Sequence, residues 1–372
     1  MTEYPIVDSH IHLYPESHIK TLAWGKDLPS GHPLNQQQSV TEYKTAAETA
    51  SDTLKGFVFL ETDRISQSVP SNWSDASASD DSYPDPPEWK HPLDEISYLS
   101  RIAIGQPIEN EGHIEADSSP CLAFIPWAPI TAGATVLSKY HTLALSRCHP
   151  SSRHLLRGYR YLFQDKPAGT MLTPEVISSL QFLGRNNLTF DLGVDARQGG
   201  LHQLEEAAEL LSRLSQQQQQ QQQQQTSDLL PKIIINHLCK PDIRSPSTSQ
   251  SFASWSTHLT SLSNYPESYL KLSGLFSELR PQSPSSLPTI EVLHTQIKPW
   301  TDFVFDVFGP KRIMFGSDWP VCNVGGGGGE WSWRRWRELV QQVCEDRGLT
   351  EDEMRALWAG TAKEAYGLEV GL

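Results

Sequence analysis

No run of about 18 apolar residues occurs in the 372-residue chain, so none of it reads as a transmembrane helix. Basic residues are in deficit, with 30 Lys and Arg against 44 Asp and Glu and a formal net charge of −14. That balance excludes the basic stripe a nucleic-acid footprint requires. Cysteine is sparse: Cys121, Cys148, Cys239, Cys322 and Cys344 form an odd set with no paired spacing. Reduced thiols fit that pattern better than a disulfide frame. The charged-then-apolar opening of a signal peptide is missing as well, and the expected compartment is the cytoplasm. Two catalytic signatures are also absent. "HLYPES" stands where a doubly wound nucleotide-binding fold would place a glycine-rich phosphate loop after its first strand. No Gly-x-Ser-x-Gly elbow follows any strand candidate, which removes the usual Ser-His-Asp arrangement.

Apolar residues make up 38% of the chain and charged residues 20%, enough for a sizeable core. Eight short apolar runs read as strands: "YPIVDSHIHLY", "LKGFVFLET", "CLAFIPWAPI", "LLRGYRYLF", "LTFDLGV", "KIIINHLC", "YLKLSGLF" and "RIMFGSDWPV". Segments of helical period separate them. In "EWSWRRWRELVQQVCED", Trp333, Trp336, Leu339, Val340 and Val343 share one stripe. Eight alternations predict an α/β fold, a (β/α)8 TIM barrel built as a single domain over residues 1–372. An extra C-terminal helix is predicted from Thr350 and Glu353, a capping-box pair, to Gly367. Residues 64–90, rich in Ser, Asp and Pro, read as a loop insertion on the barrel's C-terminal face. The ten glutamines at 216–225 read as a disordered low-complexity insertion with no catalytic role, and Gly325–Gly329 as a slack linker.

Barrel active sites form at strand C-termini, so polar residues there carry the functional reading. The first strand offers Asp8, His10 and His12 at alternate positions, the sixth ends at His237 and the eighth at Asp318. Three imidazoles and a carboxylate make a plausible divalent-metal set, and zinc held by such ligands brings the pKa of its water towards neutrality. Asp8, one step deeper, is expected to buttress the pair. The fourth strand carries Arg157 and Arg160 and the seventh Lys271 and Ser273. A cation pointing outward would lie unpaired beneath helices, which is costly. Lys271 and Ser273 are therefore expected to face inward with one of the arginines, where they could hold an anionic or polyhydroxylated substrate. Internal salt bridging to Asp8, Asp191 or Glu61 is the alternative. Cys239 and Cys322 read as packing residues rather than ligands.

With "VDSHIHLY" at one end and "FGSDWPV" at the other, the chain resembles the amidohydrolase superfamily. More narrowly it resembles the amidohydrolase-related lactonase branch, whose members include L-rhamnono-γ-lactonase, L-fuconolactonase and 2-pyrone-4,6-dicarboxylate hydrolase types. "RGYRYL" is similar to that branch's Gly-x-Arg motif and selects Arg160; "INHLCKP" and "YLKLSGL" are similar to its sixth- and seventh-strand motifs. The resemblance implies a hydrolase that opens a small lactone, with Asp318 as general base and His237 polarising the carbonyl. Arg160, Lys271 and Ser273 would bind substrate. His10, His12, His237 and Asp318 would hold one zinc or manganese ion, with metal-independent catalysis left open because the branch contains both kinds. The fifth strand ends without the histidine that related decarboxylases use as a ligand. A metal-dependent decarboxylase is therefore the weaker alternative, alongside a non-catalytic sugar-acid-binding barrel.

Overall fold

Runs of Ile, Val, Leu and Phe form the strands of the protein, which is described here as a computed structural model. It covers every residue except 1–3, 74–84, 119, 224–229, 281, 284 and 330. Among the described residues the strands are β1 (Ile6–Ile11), β2 (Leu54–Leu60), β3 (Cys121–Ile125), β4 (Gly158–Leu162), β5 (Thr189–Gly193), β6 (Ile233–Ile235), β7 (Ser268–Leu272) and β8 (Ile313–Phe315). They pair in parallel as β1-β2-β3 and β4-β5-β6-β7-β8. Isolated parallel bridges link the two sets, Phe124 with Leu156 and Trp127 with Arg160 at one junction and Ile11 with Trp319 at the other. The backbone NH of Arg160 donates to Pro126 O at 2.9 Å, and that of His12 to Trp319 O at 2.7 Å.

Parallel neighbours need a long crossover, and a helix follows each strand. These are α1 (Val40–Ala46), α2 (Lys90–Ile104), α3 (Ala134–Arg147), α4 (Pro174–Arg185), α5 (His202–Gln223), α6 (Gln250–Ser263), α7 (Ile290–Phe308) and α8 (Ser332–Asp346). The stripe expected on α8 is buried in full. Residues on the two faces of the strands fall into two apolar cores. The larger lies between strands and helices. The smaller joins Val7, Val58, Ile125, Ile234 and Met314 to Ala359, Ala362 and Tyr366 of the C-terminal helical segment. That segment starts at the Thr350–Glu353 capping box, contains a π-helical turn over Ala356–Gly360 and stops at Gly367, whose φ is 61°. The extra helix thus covers the strands' inner face at the end away from His10.

Three irregular segments can be placed. Within the glutamine tract, Gln216–Gln223 continue α5 as helix rather than standing as a disordered segment; glutamine is a good helix former and nothing interrupts the run. Gln224 and Gln225 lie outside the described residues. Of the loop at 64–90, residues 74–84 also lie outside them, while Pro87–Trp89 form a 3₁₀ turn that leads into α2 and buries Trp89. The glycine run is packed rather than slack at its start. A Cβ on Gly325 would collide with the Phe276 carbonyl oxygen. Only glycine permits that approach.

Candidate active site

The β1 segment does not keep a strict period of two. A register irregularity between Asp8 and Ile11 turns the Asp8 carboxylate away from the two histidines, toward α1 and α8. There it accepts hydrogen bonds from Tyr43 Oη (3.0 Å), Trp333 Nε1 (2.8 Å) and the backbone NH of Ser317 (2.8 Å). Burial pushes the Asp8 carboxyl upward in pKa, and these bonds act against the rise. Asp8 therefore buttresses the histidines through the backbone that joins β1 to β8, not by sharing their face.

His10, His12, His237 and Asp318 converge. Asp318 Oδ1 lies 3.5 Å from His10 Nε2, 3.5 Å from His12 Nε2 and 3.6 Å from His237 Nε2. His10 and His12 approach each other at 3.2 Å through their Nε2 atoms. The turn that delivers His237 is unusual: His237, Leu238, Cys239 and Lys240 all have φ between 47° and 61°. Asp318 also sits at positive φ, 59°. Left-handed backbone is costly for residues with a Cβ and clusters at functional sites. Gly274, at φ +71°, leaves room for the His237 ring, since a Cβ there would lie 2.5 Å from its Nδ1.

The partners behind the rings fix what each presents. His12 Nδ1 lies 3.0 Å from the Leu60 carbonyl, which can only accept, so Nδ1 carries a hydrogen and Nε2 faces the site. His237 Nδ1 lies 2.8 Å from Ser273 Oγ, whose hydroxyl can pass its own hydrogen to the Lys271 carbonyl at 3.5 Å. Its Nε2 faces Asp318. His10 Nδ1 faces Lys271 Nζ at 3.4 Å. Burial pulls His10 well below its ordinary pKa, with Lys271 adding to the effect. Burial also pulls His237 down to about 3, outweighing the Asp318 carboxylate. For Asp318, burial acts upward, but His237 and His12 together bring the carboxyl below its usual range. His10 and His237 are thus neutral imidazoles and Asp318 an ionised carboxylate, the forms that bind metal. Ring nitrogens and a carboxylate oxygen gathered on one point suit a shared cation, and His10, His237 and Asp318 meet the distance requirement for one.

Above this centre opens a cavity of about 390 Å³. One wall is apolar, with Tyr14, Trp24, Leu34, Leu162, Pro320 and Val321. Trp24 is held there by its Nε1 hydrogen bond to Thr62 O at 3.1 Å. Polar groups from Glu61, Asp63, Arg160, Gln164 and Lys240 form the other wall, and His12, His237 and Asp318 the floor. Arg160 reaches the cavity but pairs with Glu61, Nη1 to Oε1 at 3.2 Å. Burial pushes the Glu61 carboxyl up to about 8, with Arg160 opposing the rise. Arg157, the other arginine of the motif, instead meets Glu369 at 3.0 Å near the opposite end of the strand.

Lys271 and Ser273 do face inward, yet neither lines the cavity. Lys271 is completely buried and bonded to Asp191 at 2.7 Å, while Tyr366 Oη donates to Asp191 at 2.9 Å. Burial lowers Lys271 to about 8 against the pull of Asp191. These residues hold His10 and His237 from behind. Cys239 and Cys322 are buried with their thiols pushed up in pKa, as packing residues should be. Sequence reasoning passed over Asp63, Gln164 and Lys240. Lys240 stood in the quoted "INHLCKP", three residues after His237, and a cation at a strand end was the available signal.

Neutral imidazoles and one carboxylate at the C-terminal ends of parallel strands, beneath a cavity, define a hydrolase centre of the amidohydrolase kind. Comparison with known proteins agrees. A family model described as amidohydrolase matches residues 216–368. The chain is 31% identical to an L-rhamnono-gamma-lactonase of Scheffersomyces stipitis over 99% of its own length and 100% of that protein's. It is 34% identical to an L-fucono-1,5-lactonase of Burkholderia multivorans over 37% of its length and 43% of that protein's. Among solved structures, an amidohydrolase from Burkholderia multivorans with bound zinc superposes with a TM-score of 0.67 at 21% identity, covering 98% of this chain and 99% of that one. The chain belongs to the amidohydrolase superfamily, in the branch that contains the sugar lactonases. No helix among the described residues is long and apolar enough to cross a membrane.

Proposed function

We propose that the protein hydrolyses a small sugar-acid lactone to the open hydroxy acid, in one closed (β/α)8 barrel formed by residues 1–372 as a single domain. The observation that carries this reading is the convergence of three Nε2 atoms on Asp318 Oδ1 at the floor of the cavity. The full-length likeness to a rhamnono-lactonase supports the substrate class. The parallel bridges at both junctions between the strand sets support closure of the barrel.

The lactone ring lies against Trp24 and Leu34, with its carbonyl toward the floor. Asp318, ionised, takes a proton from the attacking water as the water oxygen bonds to the carbonyl carbon. When the ring C–O bond breaks, Asp318 returns that proton to the departing oxygen. The gathering of the three Nε2 atoms around one carboxylate oxygen favours a metal-holding role for these rings. His10, His12, His237 and Asp318 are the residues that would hold one zinc or manganese ion. Bound there, such an ion supplies Lewis-acid polarisation and a more acidic water. Arg160, Gln164 and Lys240 orient the ring's hydroxyl groups. Lys271 and Ser273 act as positioning residues for His10 and His237 rather than as substrate contacts. The partner is a small molecule, and the cytoplasm the proposed compartment.

The test is a proton-release assay with L-rhamnono-γ-lactone and L-fucono-1,5-lactone before and after chelation, with metal content measured alongside. Turnover that is lost on stripping and restored by zinc or manganese supports the reading. Absence of turnover on any sugar lactone in the metal-loaded protein overturns it.

A further inference from the structure

The cations that line the cavity are not free to receive an anion. Arg160 is committed to Glu61, and Glu61 is fully occupied in turn. Its Oε1 accepts from Arg160 Nη1 at 3.2 Å and its Oε2 from the backbone NH of Asp63. Arg160 Nη1 also donates to the Glu61 backbone carbonyl at 3.3 Å. Lys240 has Asp195 at 3.8 Å and Gln164 Oε1 at 3.2 Å. Asp63 adds a further carboxylate to the same wall, and Asp318 another at the floor. Above about pH 8, where the Glu61 carboxyl is mainly ionised, Glu61, Asp63 and Asp318 stand against Arg160 and Lys240, so acids outnumber cations around the bound molecule.

We infer that Glu61 is a specificity-determining residue: by occupying Arg160 it closes the cavity to lactones that carry a carboxylate and leaves it open to neutral, hydroxyl-bearing ones. This rests on the lactonase reading for its substrate but not for its geometry. A carboxylate entering beside Arg160 would have to displace the Glu61 oxygen from a buried guanidinium, and would meet Asp63 as it did so. A sugar hydroxyl meets no such conflict. It can donate to the Asp63 carboxylate, and it carries no charge for the acids to repel. Specificity of this kind comes from repelling the wrong ligand as much as from binding the right one. Removing the acid should turn Arg160 into an anion clamp, because a freed guanidinium pairs bidentately with carboxylates.

The experiment compares wild type, Glu61→Gln and the double variant Glu61→Gln/Arg160→Gln. Glutarate, a plain dicarboxylate, is the calorimetric probe at about pH 9, where the Glu61 carboxyl is mainly ionised. L-Rhamnono-γ-lactone turnover is measured separately. Glu61→Gln should bind glutarate at least tenfold more tightly than wild type, the scale of one charge-assisted hydrogen bond. The double variant should lose that gain. Equal glutarate affinity in wild type and a folded Glu61→Gln overturns the inference, as does a gain that survives loss of Arg160. If Glu61→Gln does not fold, Glu61→Asp, which draws the acid off the guanidinium by one methylene, carries the same comparison. Glutarate binding needs no turnover. Failure of the lactonase reading would therefore show as absent hydrolysis in wild type, independently of the binding result.

Discussion

Replacing Asp318 with Asn removes a proton acceptor from the floor of the site while changing its shape very little. The backbone around it should hold. Asp318 N donates to His10 O at 2.9 Å and Cys322 N to Asp318 O at 2.9 Å, and neither bond uses the side chain. Asn also tolerates the left-handed conformation, φ 59°, better than other residues with a Cβ. The surrounding imidazoles do not depend on the carboxylate for charge balance, since burial already keeps His10 and His237 neutral. No buried cation is left alone, so the melting temperature should move by only a few degrees, in line with a change of about 1 kcal/mol. Catalysis should fare differently. A positioned general base contributes roughly 10²–10⁴-fold, which raises the barrier by about 3–5 kcal/mol when it is lost. Lactone hydrolysis followed by proton release should therefore fall at least a hundredfold in kcat, with KM little changed. Metal content measured on the same samples separates two roles: metal retained with kcat lost marks the base, and metal lost with kcat marks a ligand. A folded Asp318→Asn enzyme within tenfold of wild-type kcat would refute the reasoning.

Lowering the pH should destabilise the metal-free protein below about 6.5, because the unfolded chain then binds protons that buried His10 and His237 refuse. One pH unit below that value the cost is about 1.4 kcal/mol per histidine, so thermal melts at stepped pH should steepen there. Glu61, raised to about 8, offsets part of this cost over the same range, so the comparison is with His237→Gln: a profile unchanged by that substitution would contradict the buried neutral state. Gly274→Ala should displace the His237 ring, whose Nδ1 lies 2.5 Å from the added Cβ, and so weaken zinc binding measured by competition with a chelator at least tenfold. Unchanged zinc affinity would mean that His237 is not a ligand. Trp24→Ala removes most of a half-buried aromatic face from the cavity wall. It should raise KM about tenfold, a loss of about 1–2 kcal/mol, with kcat nearly preserved. A fall in kcat alone would move Trp24 from binding to chemistry.

The strand ends were legible because a barrel offers few places for a polar residue. His10, His12, His237 and Asp318 each interrupt or close an apolar run, and the structure brings them together. That one arginine of the fourth strand points inward was legible for a related reason, since the outward face is covered by helices, while the resemblance of "RGYRYL" to the Gly-x-Arg motif chose Arg160. What periodicity misread was Asp8. Alternation assigns it to the histidine face, but one irregularity in register reverses it, and such bulges leave no mark in composition. Lys271 shows a different limit. Its inward direction followed from its leucine neighbours, whereas its partner depended on which of Asp8, Asp191 and Glu61 lay across the barrel. Distance across strands that are far apart in sequence cannot be read from local pattern. Gln216–Gln223 failed for a third reason: low complexity was taken as disorder, although a helix former placed after a helix continues it.

Lys271, Asp191 and Tyr366 explain why the chain retains a charge pair where two apolar residues would pack more cheaply. Breaking a buried pair is severe, but replacing one with well-packed apolar groups is often neutral or stabilising. Stability alone therefore does not account for an ammonium and a carboxylate that are both completely buried. Position does. Lys271 Nζ lies between Asp191 Oδ1 at 2.7 Å and His10 Nδ1 at 3.4 Å, and Tyr366 anchors Asp191 from the C-terminal helix. The chain's last helix is thus joined through three side chains to His10. Lys271→Met with Asp191→Asn removes both charges, leaves Tyr366 Oη an acceptor, and should keep the fold while releasing the His10 ring. The loss should appear in metal affinity and kcat before it appears in melting temperature. Should the double variant melt far below wild type with its metal affinity intact, the pair would be structural and its tie to His10 incidental.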